Sequence, residues 1–297
     1  MRRHPFIPIA VTGLLLVAAA CGGGDDDAAE APVVVVTTSV LGDVVENLVG
    51  DVAEVEVLMP PGADPHEFAL SARQAADLRE ADLVVANGGG FEAGLDDTLD
   101  AAEDDGATVV RALDAVDRID DDPHFFTDPD RMAVAARAIA DALAAEVPAL
   151  DTAEVRDGAD AYVADLDALG VEVEATLAAV PVERRRLVTN HDVFAYFAER
   201  YDFTVVGAVI PAVTTQAEPA AGELADLAAV IEAEGVPAIF ADTSSPEQLA
   251  DALAGEAGDV EVVELYSESL GEPGTDAGTY EGMIRTNASR IAAALAP

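Results

Sequence analysis

The chain has 297 residues, 51% of them hydrophobic, and it sets 58 acidic residues against 15 basic ones, all arginine, for a formal net charge of -43. Hydrophobic content at that level excludes a disordered polyelectrolyte, and a surplus of this sign excludes nucleic acid and an anionic membrane surface as partners of the folded body. Cations are attracted instead, and the plain consequence of the charge is solubility, including in saline surroundings.

Residues 1–20 read as a signal peptide: Arg2 and Arg3 form a basic start, Phe6 to Ala20 an apolar stretch, and Ala18-Ala19-Ala20-Cys21 a small-residue run ending in cysteine. The pattern resembles a bacterial lipoprotein signal, with Cys21 as the lipidated first residue of the mature chain. An ordinary secretory signal cut near Ala20 is the alternative. Either one takes the protein out of the cytoplasm, and the apolar stretch is short of the roughly 20 residues a membrane span needs. Cys21 is the only cysteine, which leaves no disulfide and no thiolate for a metal site. Residues 21–32, with the run GGGDDDAAEAP, form a flexible tether.

Roughly 265 residues remain, enough for one large or two medium domains. Val33 to Ser39 is an apolar strand, Leu41 to Val49 a helix, Ala53 to Met59 an alternating strand, Ser71 to Glu80 a helix and Asp82 to Asn87 a buried strand. The turn Gly88-Gly89-Gly90, an acidic helix and a fourth strand over Ala107 to Leu113 follow. This alternation predicts a mostly parallel sheet covered by helices. Asp128-Pro129 supplies the cap and first turn of a helix reaching Glu146, and Pro148 stops it, closing a first lobe over 33–150.

Asp151-Thr152-Ala153-Glu154 has the form of a capping box, and Val155, Ala159, Tyr162, Leu166, Leu169, Val173, Leu177 and Val180 then recur every three or four residues. They predict one helix over 151–180, about 40 Å long, able to run down the side of both lobes. Gly158 and Gly170 weaken that pattern. A second lobe over 181–297 has strands at Arg186 to Thr189, Thr204 to Ile210, Pro237 to Ala241 and Val260 to Leu265. Its helices are at Val193 to Tyr201, Glu218 to Glu234, Pro246 to Gly255 and Tyr280 to Leu295. The fold class is α/β, with two lobes of mostly parallel sheet flanked by helices and one long linking helix.

His4 falls in the leader, so the mature chain has three histidines, and each opens a short motif after an apolar run: PGADPHEF around His66, DPHFFTDP around His124 and TNHDV around His191. Ligands of α/β sheets collect outside the carboxyl ends of strands, and neutral imidazole suits zinc and several other transition ions. A lone loop histidine is ordinarily just solvated. Three at strand ends predict a metal site between the lobes. Among the acidic residues, Asp242 at another strand end is a candidate further ligand whose plain reading is loop capping. Asp117 and Asp120 to Asp122 read as a solvated loop, and Gly88-Gly89-Gly90, with no lysine following, as a turn rather than a phosphate loop.

Five segments carry a resemblance: TTSVLGDVVENLVGD, PPGADPHEF, DPHFFTDP, TNHDVFAYFAERY and LYSESLGEPGTDAGTYEGMIRTN. Together they resemble the solute-binding lipoproteins of the zinc and manganese class of ABC importers, over essentially the whole mature chain. The resemblance implies two α/β lobes joined by a long helix, metal ligation by the three histidine positions, and a fourth, acidic ligand in the last segment. That position is Glu268 here, where relatives more often carry Asp, so Asp242 stays open as the alternative. It also implies an extracytoplasmic, lipid-anchored monomer that hands its ion to a permease and its ATPase, with no catalysis. Three imidazoles and a carboxylate favour Zn2+, with Mn2+ second and iron third. Two other classes are weighed against transport. A zinc hydrolase needs an open coordination position and a general base, and there is no His-Glu-x-x-His helix; a surface adhesin, a second role within this family, would bind its partner without the histidines.

Overall fold

Val33–Val36 (β1) pairs in parallel with Glu54–Val57 (β2) on one side and Leu83–Ala86 (β3) on the other, and Val109–Arg111 (β4) extends the sheet to the order β2-β1-β3-β4. This is a computed structural model, and it describes residues 31–297 apart from 218, 246, 247 and 259. The signal peptide, Cys21 and the tether through Glu30 lie outside the described residues, as do the expected helix starts at Glu218 and Pro246. Helices Ser39–Val49 (α1), Ala72–Glu80 (α2), Asp96–Asp104 (α3) and Pro129–Glu146 (α4) follow these strands. The unbroken valine run of β1 has its cause here: Val34 and Val36 enter one core while Val35 enters another on the opposite face, so neither face has room for a polar residue.

The second lobe repeats the plan. Arg186–His191 (β5), Thr204–Ile210 (β6), Ala238–Asp242 (β7) and Glu261–Leu265 (β8) form a parallel sheet in the order β6-β5-β7-β8. Between the lobes runs Ala153–Leu177 (α5), and the second lobe adds Ala195–Tyr201 (α6), Ala221–Glu234 (α7), Gln248–Glu256 (α8) and Tyr280–Leu295 (α9). The first and last helices of the described fold bracket α5, which packs on α1 and α4 from one lobe and on α9 from the other.

That contact makes one core out of two lobes. Val44 and Leu48 of α1, Ile139 of α4, Leu166 and Leu169 of α5, and Met283 and Ile291 of α9 belong to a single buried cluster, whereas the outer face of each sheet has a smaller cluster of its own. The stripe expected on α5 is the buried one. At 25 residues the helix spans about 37 Å. Its start differs from expectation: Thr152, not Asp151, is the cap, its hydroxyl accepting from Val155 N at 3.2 Å, and Asp151 instead pairs with Arg156. Gly170 does not interrupt the helix. A Cβ there would lie 2.7 Å from Asp130 Oδ1, so the glycine admits α4 and its Asp130–Arg200 ion pair at close range.

β5 extends two residues past the expected strand, because His191 pairs with Ile210 of β6. The histidine is thus a strand residue, fixed by backbone pairing rather than by a loop. Leu166 is fully buried near the middle of α5. Leu166→Ala is expected to destabilise the protein by about 3 kcal/mol, seen as a lower urea midpoint with an unchanged slope. A loss under about 1 kcal/mol would show that the shared core tolerates a void there.

Candidate metal centre

The first two histidines are set by the same local device. In Asp64-Pro65-His66 the Asp64 Oδ1 accepts His66 N at 2.9 Å, and in Asp122-Pro123-His124 the Asp122 Oδ1 accepts His124 N at 2.9 Å. Proline between the two removes a competing donor and stiffens the turn. The devices then diverge. Asp122 Oδ1 also meets His124 Nδ1 at 2.6 Å, which fixes that ring and leaves Nε2 pointing the other way. Asp64 turns its second oxygen elsewhere, and His66 Nδ1 has no partner among the described residues. His191 leaves the sheet at the end of β5, with Nδ1 3.3 Å from Asn190 Oδ1.

Glu268 follows β8 and is held by its neighbours. Ser267 donates its N–H at 2.9 Å and its hydroxyl at 2.5 Å to Asp242 Oδ2, while Ser269 Oγ accepts Gly62 N at 2.8 Å and meets Ser39 Oγ at 3.1 Å. One side of the glutamate is therefore tied to β7 and the other to the first lobe.

The four side chains converge. Glu268 Oε1 lies 3.2 Å from His124 Nε2 and 2.8 Å from His191 Nε2, Glu268 Oε2 lies 3.2 Å from His66 Nε2, and the four ligand atoms are all within 4.8 Å of one another. None of these approaches has the direction of a hydrogen bond: among the described residues the three Nε2 atoms and both carboxylate oxygens are buried without a partner. Buried polar atoms are almost always satisfied, so five orphans around one point have the chemistry of a cation site. Phe91 closes one wall, its ring edge-on to His66 at 5.2 Å and to His124 at 5.4 Å between centroids. That apolar wall keeps water away and strengthens every charge interaction inside.

Asp242 does not join this cluster. Its Oδ1 accepts Ser244 N at 2.7 Å and the Ser244 hydroxyl, and its Oδ2 is filled by Ser267, so its lone pairs hold the loop that presents Glu268. Asp122 departs from the sequence expectation. It was expected in a solvated loop with Asp120 and Asp121, which are exposed, yet it is 4% exposed and bonded to His124. The signal lay in the chain: an aspartate two residues before a histidine, with proline between, occurs at 64–66 and again at 122–124. Glu92 was also missed. It is fully buried, accepts Asn87 N, Gly88 N and the Thr37 hydroxyl, and anchors the turn that presents Phe91; burial pushes its carboxyl up against those three bonds. Gly88, Gly89 and Gly90 all have positive φ, which is why that turn takes three glycines.

Charge within the ion-free cluster is shared with protons. Burial pushes His124 down, but the Glu268 charge and the bond to Asp122 outweigh it and hold the imidazole up at about 9. Burial likewise raises Glu268, and the histidine charges around it reverse this and hold it well below the usual carboxylate range.

The family described as ZnuA, zinc-uptake complex component A periplasmic, matches residues 34–294. The zinc-binding protein TroA of Treponema pallidum is 32% identical over 271 residues, covering 86% of each chain. The manganese-binding lipoprotein MntA of Bacillus subtilis is 31% identical over 271 residues, 87% of this chain and 88% of MntA. The solved structure of periplasmic TroA superposes with a TM-score of 0.84, covering 90% of this chain and 99% of that one at 32% identity.

An ion held at His124 Nε2 would displace the proton there, so uptake at pH 7 is expected to release about one proton and affinity to rise about tenfold per pH unit up to about 9. Titration calorimetry in buffers of different ionisation enthalpy measures both. The same shift has the opposite sign for the ion-free fold. Its contribution is complete below the unfolded histidine value of about 6.5 and is lost as pH rises through about 9. A pH-independent affinity would show that His124 gives up no proton to the ion.

Proposed function

The chain belongs to the ZnuA family of periplasmic zinc-uptake components, and from that premise we propose that it binds one zinc ion through His66, His124, His191 and Glu268 and passes it to a membrane permease. The protein is an extracytoplasmic receptor for a divalent transition metal, the solute-binding part of an ABC import system. What carries the ligand set is the group of five buried, unpartnered nitrogen and oxygen atoms facing one point. Only a cation satisfies all five together, since every direct nitrogen–oxygen approach among them lacks hydrogen-bond direction.

Zinc is favoured by the donors. Three imidazole nitrogens outnumber the carboxylate, and nitrogen-rich sites hold zinc above manganese in the Irving–Williams order. Manganese is the second reading because MntA, named for manganese, is nearly as similar to this chain as TroA, named for zinc. Glu268 fits either ion, as both its oxygens lie beside imidazole nitrogens. Binding rather than catalysis follows from the fourth protein donor, which takes the position a hydrolytic water would need. The mature chain is anchored through a lipid on Cys21 and acts as a monomer whose partners are a permease and its cytoplasmic ATPase.

Zinc titration of His66→Ala, His124→Ala and His191→Ala is expected to show at least about tenfold weaker binding in each. Glu268→Ala is expected to weaken binding more than Asp242→Ala does. Wild-type affinity in two of the histidine variants would overturn the ligand set, and the reverse ranking of the two carboxylates would move the fourth ligand to Asp242. Competition between zinc and manganese on the wild-type domain decides the ion.

Cys21→Ser is expected to move the protein from the membrane fraction to the soluble one while leaving zinc affinity unchanged. Retention of that variant in the membrane would overturn the lipid anchor.

A further inference from the structure

Among the described residues no hydrogen bond steers the ring of His66, and its main chain is held from both sides instead. Asp122 fixes the ring of His124 at 2.6 Å and Asn190 lies beside that of His191, whereas His66 Nδ1 has no partner among the described residues. Metal-binding histidines are normally oriented through the second ring nitrogen. At residue 66 the N–H goes to Asp64 Oδ1 and the carbonyl accepts from the Gln216 side-chain amide. Thr215 completes the arrangement by donating its hydroxyl to Asp64 Oδ2 at 2.7 Å.

Both outer partners come from the other lobe. Thr215 and Gln216 follow β6, and the same segment is tied to the His191 turn, where Asp192 N donates to Ala212 O at 3.0 Å. One stretch of the second lobe thus joins the turn bearing His191 to the loop bearing His66. Beside it lies a cavity of about 420 Å³ whose lining includes Asp64, Asn190, Thr215 and Gln216 but none of the four ligands. The two side chains line that cavity and at the same time bond to the loop that carries His66.

We infer that Thr215 and Gln216 are positioning residues that latch His66 against the ion, so that the ion departs toward this cavity only after both bonds open. The inference rests on His66 being a ligand. A latch of this kind controls residence more than capture. Opening it is the step a departing ion waits for, while an arriving ion meets three other donors whether or not His66 is pinned.

The test is stopped-flow dissociation of zinc into a chelator from the wild-type protein, T215V, T215S and Q216A. One hydrogen bond is worth about 0.5–1.5 kcal/mol net, so T215V and Q216A are each expected to speed dissociation about two- to tenfold. Association should not slow, stoichiometry should stay at one, and T215S, which keeps the hydroxyl, should behave as wild type. Gln216 is exposed, so Q216A leaves the core untouched and reports on the latch even if T215V perturbs folding. Wild-type dissociation in Q216A overturns the proposal, as does a fall in association matching the rise in dissociation, which marks general damage to the site. A wild-type protein that takes up no zinc overturns the ligand set itself, a result distinct from either.

Discussion

Everything in this structure answers to one constraint: three imidazole nitrogens and a carboxylate are held out of water around a single point, with no hydrogen bonds among them. Burying such groups unpaired is costly, on the order of several kcal/mol for the charge alone. In the ion-free protein the cost is met by retaining a proton on His124 beside the Glu268 charge. A divalent ion would do the same more completely, because it could reach all the donors at once. Affinity is thus built from the refusal of alternatives. Phe91 gives the rings nothing polar to turn to, and the neighbours of Glu268 are committed elsewhere.

Holding donors from two lobes at one point requires a frame that does not swing. The shared core along α5 supplies it, since rotating the lobes apart would separate α9 from α1 and α5 and expose Leu166, Met283 and Ile291. Polar ties reinforce the seam near the site: Tyr280 OH donates to Phe126 O at 2.8 Å and Tyr196 OH to Asp122 O at 2.9 Å. What remains free to move is small. The loops bearing His66 and Glu268 are fastened by a few hydrogen bonds each, together worth far less than the core, so local loop motion is the less costly route for an ion.

Much of this was legible in the chain, for stated reasons. Long apolar runs such as Val33–Val36 and the α5 stripe are forced by burial on known faces, so their periodicity showed both lobes and the linking helix. The three histidines were visible because little else in the chain could bind a soft ion at strand ends. Glu268 was not readable from spacing, since one carboxylate among 58 carries no mark, and only resemblance singled it out. Asp122 and Glu92 escaped for the opposite reason. In a chain this acidic a buried carboxylate looks like its solvated neighbours, and only tertiary contacts separate Asp122 from Asp121. Thr215 and Gln216 act across some 150 residues of sequence on the loop at 64–66, a separation that no local pattern records.

The surface and the site divide the work of recognition. A net charge of -43 raises the local concentration of every cation alike, and so cannot tell zinc from the far commoner magnesium or calcium. Discrimination has to come from the donors. Hard ions want six or more oxygens, and the cluster offers one carboxylate among three nitrogens. Glu268 would face the ion directly and Asp122 through the His124 ring, while burial raises the carboxyls of Asp242 and Glu92 against the hydrogen bonds they accept. The acidic exterior gathers cations, and a nitrogen-lined interior of this composition would favour a divalent ion that prefers nitrogen.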